Sequence, residues 1–90
     1  MWWVYIAECN DGSYYCGITN NLPRRFKQHN TGRGAKYTRG RGPIELKIAV
    51  QVENKSNALR IEAQVKKKTK NKKIKFLLEK AGGGKVLTVI

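Results

Sequence analysis

Between residues 44 and 53 apolar and polar side chains alternate: Ile44, Leu46, Ile48, Val50 and Val52 against Glu45, Lys47, Ala49, Gln51 and Glu53. A period of two over that length predicts a half-buried strand beginning after Pro43. Two further strand-like runs, 2–8 and 14–19, are joined by Cys-Asn-Asp-Gly-Ser. The length of that turn decides which side chains share a face. A two-residue Asp-Gly loop would put Tyr5 and Tyr15 on opposite faces. A three-residue loop, with Asn10 and Asp11 in a type I turn and Gly12 left-handed, pairs Tyr5 with Gly17 and Ala7 with Tyr15. The second register sorts the hairpin better. Trp2, Val4, Ile6, Tyr14, Cys16 and Ile18 form one nearly apolar face, and Tyr5, Ala7, Tyr15, Gly17 and Thr19 form the other. It also separates Cys9 from Cys16, against a disulfide.

The remaining periodicity is helical. Residues 20–30 begin with Asn20 or Asn21 as a cap and Pro23 in the first turn. Leu22, Arg25, Phe26 and His29 then share one helical face, and Asn30 and Gly32 end the run. A second helix starts from a Ser56 cap and aligns Ala58, Ile61, Glu62 and Val65. A third, from Asn71, packs Ile74, Leu77 and Leu78 with Phe76 nearby, until the Ala-Gly-Gly-Gly stretch stops it. The expectation is one α+β domain over 1–80. Residues 81–90 read as a glycine-rich linker with an apolar tail, either loose or a short added strand.

Composition changes the picture chiefly through charge. Nineteen basic residues face six acidic ones in 90, a net charge of +13. Such an imbalance asks for an anionic partner, and without an amphipathic helix bearing aromatic anchors, nucleic acid fits better than a membrane surface. No apolar run approaches the roughly 20 residues that span a bilayer. The opening apolar stretch lacks a basic leader, so a cytoplasmic monomer is expected, with its two cysteines reduced. One histidine does not complete a zinc set.

The candidate chemistry is sparse. Glu62 lies on the stripe of its helix; taken alone it reads as an i,i+4 partner of Lys66. The functional alternative is a ligand for Mg²⁺, which needs only one or two carboxylates when phosphates and waters complete its shell. Arg25 can snorkel beside Leu22 and Phe26, or aim its fork at a phosphate. His29 is expected to hydrogen-bond the site rather than take the key proton. Tyr5 and Tyr15 are ordinary strand residues unless a cationic pocket perturbs them, and Gly17 leaves room opposite Tyr5 for a ring, a water or a phosphate oxygen. Arg33, Lys36, Tyr37, Arg39 and Arg41, in a glycine-rich loop, suit phosphate tracking and base stacking, and Lys66, Lys67 and Lys70 extend the basic surface.

These residues, Tyr5 in Val-Tyr-Ile, Tyr-Cys-Gly at 15–17, Arg25 and His29 in one helix and Glu62 in another, resemble the GIY-YIG nuclease domain. The likeness is closest to its short, single-domain bacterial group, the UPF0213 or YhbQ-like proteins, and it runs from residue 2 to about 80. Thr19, the loop after His29 and Lys66 also match that group's pattern. The resemblance implies a three-stranded antiparallel sheet flanked by helices, in the order β-β-α-β-α-α, and metal-dependent hydrolysis of DNA phosphodiesters. By the same resemblance, Tyr5 and Tyr15 are the motif tyrosines, one of which activates water. Arg25 is the catalytic arginine, Glu62 the ligand of one Mg²⁺ or Mn²⁺, and His29 a supporting residue, with Gly17 and Thr19 structural in the site. No glycine precedes the first motif, Cys16 stands where isoleucine is usual, and Ile18 where excision-repair members have lysine. The rival reading keeps the fold without cleavage, as a module that binds DNA or RNA. No second domain that could read base sequence is expected, so structure-specific or weakly selective action is expected.

Overall fold

The computed structural model describes residues 1–31, 42–81 and 84–88. Its elements are β1 (Trp2–Glu8), β2 (Tyr14–Thr19), α1 (Leu22–Asn30), β3 (Glu45–Val52), α2 (Lys55–Lys66), α3 (Lys70–Lys80) and β4 (Val86–Thr88). The strands form one antiparallel sheet in the order β2-β1-β3-β4. The α+β class matches expectation, with a fourth strand where three were expected. Residues 86–88 lie along β3 and cover its outer edge, so this part of the tail joins the sheet of its own chain.

The hairpin takes the three-residue turn. Cys9 N–H donates to Ser13 O, Gly12 N–H donates to Cys9 O, and Gly12 adopts φ +83°. Only glycine enters that left-handed region cheaply. Tyr5 therefore pairs with Gly17 and Ala7 with Tyr15. The thiols of Cys9 and Cys16 are buried on opposite faces of the sheet.

Each face has its own core. On the first, Val4, Ile6, Cys16, Ile48 and Val50 pack under Ala58 and Val65 of α2 and Leu77 of α3. On the second, Tyr5, Ala7, Cys9 and Ala49 pack with Leu22 of α1 and with Ile44. The alternation read along β3 does not keep to one face. The pairing with β1 slips between Ile6 and Ala7, opposite Ile48 and Leu46. The extra residue, Lys47, turns Ile44 and Leu46 onto the second face, and its ammonium reaches the Glu8 carboxylate at 3.3 Å. A bulge of this kind puts the side chains before it and after it on opposite sides from those a regular alternation would give.

The helices start and stop by local chemistry, with two corrections. Asn21 caps α1, its Oδ1 accepting from Arg24 N–H at 3.0 Å. The expected Ser56 cap of α2 lies inside the helix: Asn54 caps it, accepting from Asn57 N–H at 2.8 Å. In α3 the packed line is Ile74, Leu77 and Ala81 with Phe76 at its flank, while Leu78 is 46% exposed. Residues 74, 77 and 81 lie along one helical stripe, and 78 falls to its solvent side.

Candidate active site

The open edge of β2 is where the functional residues gather. Thr19, buried at the end of β2, binds Asn21 through its hydroxyl, accepting from the amide at 3.0 Å and donating to the carbonyl at 3.2 Å. This short link sets α1 over the second face. The face of α1 read from its spacing then meets the sheet: Leu22 and His29 are buried, and Arg25 and Phe26 are half-buried.

Gly17 answers to the ring of Tyr5. A Cβ at Gly17 would stand 2.6 Å from Tyr5 Oη and 2.9 Å from Tyr15 Cε2. The phenol of Tyr5 thus crosses its cross-strand partner and lies in the space a side chain would take. Phe26 packs on it with ring centroids 5.2 Å apart, and the rings of Tyr15 and His29 close the other sides at 6.2 and 6.0 Å. The result is a fully buried phenol whose Oη lies 2.8 Å from His29 Nε2.

Electrostatics assigns the protons. Burial pushes the Tyr5 phenol above its ordinary pKa, and the Arg25 guanidinium only partly offsets this. Burial, then the nearby Arg25 charge, lowers the His29 imidazole to about 4. His29 is therefore neutral near pH 7. The Arg25 charge bears on both phenols. The Tyr5 hydroxyl and His29 Nε2 share one hydrogen bond, whose direction follows the imidazole tautomer. Burial works against the charge on Arg25, but the two phenols outweigh it and hold the guanidinium above its ordinary pKa. Gln28 Oε1 adds an acceptor at 3.2 Å. Tyr15 is half-buried and lines a cleft along the β2 edge.

That cleft, of about 500 Å³, is lined by Ser13, Tyr14, Tyr15 and Cys16 with Lys66, Lys70 and Lys73. Lys70 sits 4.7 Å from the centre of the Tyr14 ring and donates to Gly12 O. Arg24 and Arg25 line the neighbouring cavity at the other end of β2. Cations therefore flank the edge strand along its length. Lys67 is exposed at the end of α2. Arg33, Lys36, Tyr37, Arg39 and Arg41 lie outside the described residues. Arg24, Gln28 and Phe26 join the site without having been singled out for it, and Lys73 joins it from the lysine run of 66–75. The signals were available: Arg24 and Gln28 neighbour Arg25 along or around one helix, and Lys73 lies one turn after Lys70.

Glu62 comes from a different helix. It is carried by α2, on the first face, while Tyr5, Tyr15, Arg25 and His29 share the second. Its carboxylate pairs with Lys66 at 3.5 Å and its charge bears on Cys16, whose thiol is pushed up to about 12, chiefly by burial. The two phenols, Arg25 and His29 thus lie on the second face, and Glu62 is carried by a helix on the first. The cause is that α1 and α2 pack on opposite sides of the sheet. Among the described residues no group of three or more His, Cys, Asp or Glu converges as a metal cage. The donor set fits a hard cation held by one carboxylate and completed by phosphate oxygens and waters.

The edge-strand site and a sheet covered by helices on both faces define a domain class in which phenols and an arginine sit on a small α+β sheet. The chain belongs to the GIY-YIG family: the family model described as GIY-YIG catalytic domain matches residues 1–75. It is 49% identical over 81 residues to UPF0213 protein CPE1444 of Clostridium perfringens, covering 90% of this chain and 87% of that one. It is 43% identical over 79 residues to UPF0213 protein YhbQ of Salmonella typhimurium, covering 88% and 79%. The solution NMR structure of UPF0213 protein BH0048 from Bacillus halodurans has the same fold, with a TM-score of 0.53 and 46% identity over 91% of this chain and 88% of that one. No helix among the described residues is long and apolar enough to cross a membrane.

Proposed function

We propose that this protein is a metal-dependent endonuclease that hydrolyses DNA phosphodiester bonds at the β2 edge, selecting structure more than sequence. The observation that carries this is the placing of one guanidinium against two phenols at a cation-lined edge. Arg25 donates to the non-bridging oxygens of the scissile phosphate, where negative charge grows in the transition state. Tyr15, half-buried where Tyr5 is sealed, takes the proton of the attacking water on its oxygen as its own hydroxyl proton passes to solvent. Tyr5 holds Arg25 in position, and neutral His29 anchors Tyr5. Lys66, Lys70 and Lys73 hold the flanking phosphates. Glu62 would bind Mg²⁺ or Mn²⁺ across the edge strand, with Lys66 shifting from the carboxylate to a phosphate. A divalent ion there would offset the charge on the phosphate and the leaving oxygen.

The test is nicking of labelled branched, nicked, single-stranded and duplex DNA with Mg²⁺. Expected is cleavage abolished by EDTA, lowered about a hundredfold or more in Arg25→Ala and Glu62→Ala, and lowered more in Tyr15→Phe than in Tyr5→Phe. Undiminished cleavage by the Glu62→Ala protein removes the metal role. A second reading, a module that binds DNA or RNA without cutting, draws on the separation of Glu62 from Arg25. It predicts salt-sensitive binding that survives Glu62→Ala, and no cleavage of any substrate.

A further inference from the structure

The part of the second face not covered by α1 holds a cavity of about 560 Å³. Trp3, Phe26, Leu46 and Leu87 give it apolar walls, and the Asn20 and Asn21 side lies beside the start of α1. Leu87 is 38% exposed there and Trp3 is half-buried. Asn20 also lines the adjoining cavity of about 310 Å³ that holds Arg24 and Arg25, and Arg24 Nη2 donates to Asn20 Oδ1 at 3.2 Å. Among the described residues no carboxylate lines either cavity. An aromatic slot thus adjoins two guanidiniums. An apolar peptide would fill the slot and leave the guanidiniums unused. A nucleotide uses both, since its base has an apolar face and its phosphate a charge. The continuity with the cationic edge and the net charge of +13 favour that occupant.

We propose that the Trp3–Phe26 cavity takes one unstacked nucleobase of the substrate strand, with the neighbouring phosphate on Arg24 and Arg25; this rests on the nucleic-acid reading above. Stacking on an aromatic ring tolerates any base, so the cavity selects for an unpaired nucleotide rather than a sequence. A base already out of the helix enters without the cost of unstacking. The favoured substrates are therefore flaps, bulges and single strands.

The experiment measures binding in EDTA, which keeps cleavage out of the readout. Three labelled DNAs are compared: a paired duplex, the same duplex with one unpaired nucleotide, and that DNA made abasic at the unpaired position. Expected is about tenfold tighter binding of the unpaired base, falling to within about twofold of the paired duplex when the base is removed. Trp3→Leu should lose this preference and keep its affinity for the paired duplex. Equal affinity for all three DNAs overturns the base pocket, and so does a preference that survives removal of the base. The abasic comparison needs no variant, so the result holds even if Trp3→Leu fails to fold. Self-association abolished by Trp3→Leu would assign the cavity to a second copy and also overturn it. Binding to no DNA at all would sink the nucleic-acid reading itself, a distinguishable result.

Discussion

A methyl group at Gly17 would stand 2.6 Å from the Tyr5 hydroxyl and 2.8 Å from its Cζ, inside van der Waals contact. Both β1 and its neighbours hold that ring, so it cannot step aside cheaply. Gly17→Ala is expected to cost about 1–3 kcal/mol in urea denaturation and to abolish cleavage. Unchanged stability would mean that the Tyr5 ring is not seated over Gly17. The Tyr5–His29 pair makes a second prediction at this scale. The folded imidazole titrates at about 4, below its unfolded value near 6.5, so the unfolded chain binds more protons between those values. The contribution of His29 to stability is complete above about pH 6.5 and is lost as the pH falls towards 4. Denaturation midpoints measured across that window should decline in the wild type and decline less in His29→Gln. Equal slopes in the two proteins would show that the imidazole is not buried neutral. The hairpin register was legible because only one turn length sorts apolar from polar side chains. The burial of Tyr5 was not, since an alternating strand looks the same whether one face or both are covered.

Element boundaries follow short-range chemistry, but several local solutions compete. Asn54 and Ser56 are both good caps, and Asn54 prevails because the chain leaves β3 at Val52 and can turn at once into α2. Asn54→Ala should lower stability by about 1 kcal/mol, whereas Ser56→Ala should change it little. Thermal denaturation of the two variants distinguishes them, and the reverse order would return the cap to Ser56. The α1 face was readable from the spacing of Leu22, Arg25, Phe26 and His29. Leu78 was misplaced because Ile74 admits partners at both i+3 and i+4. The sheet below selects 77 and 81. The Lys47 bulge leaves no mark in a regular alternation, so the transfer of Ile44 and Leu46 could not be anticipated.

Across the whole molecule, positive charge lines the open edge of β2 from Arg24 and Arg25 at one end to Lys66, Lys70 and Lys73 at the other. Binding of DNA should weaken linearly on logarithmic axes as salt rises, because phosphate contacts release counterions. Replacing Lys66, Lys70 and Lys73 with glutamine should reduce that slope by about 2–3, measured by anisotropy over a salt series. An unchanged slope would place the DNA elsewhere on the surface. The sequence by itself determined the excess charge, the succession of elements up to α3, the hairpin register and the grouping of Arg25 with His29. All of these follow from composition or from the fixed periods of strands and helices, which act over a few residues. Tertiary structure alone decided that α1 and α2 cover opposite faces, that Glu62 therefore stands across the edge strand from Arg25, and that residues 86–88 complete the sheet. Those choices depend on which apolar surfaces meet over long chain separations, and no local period records them.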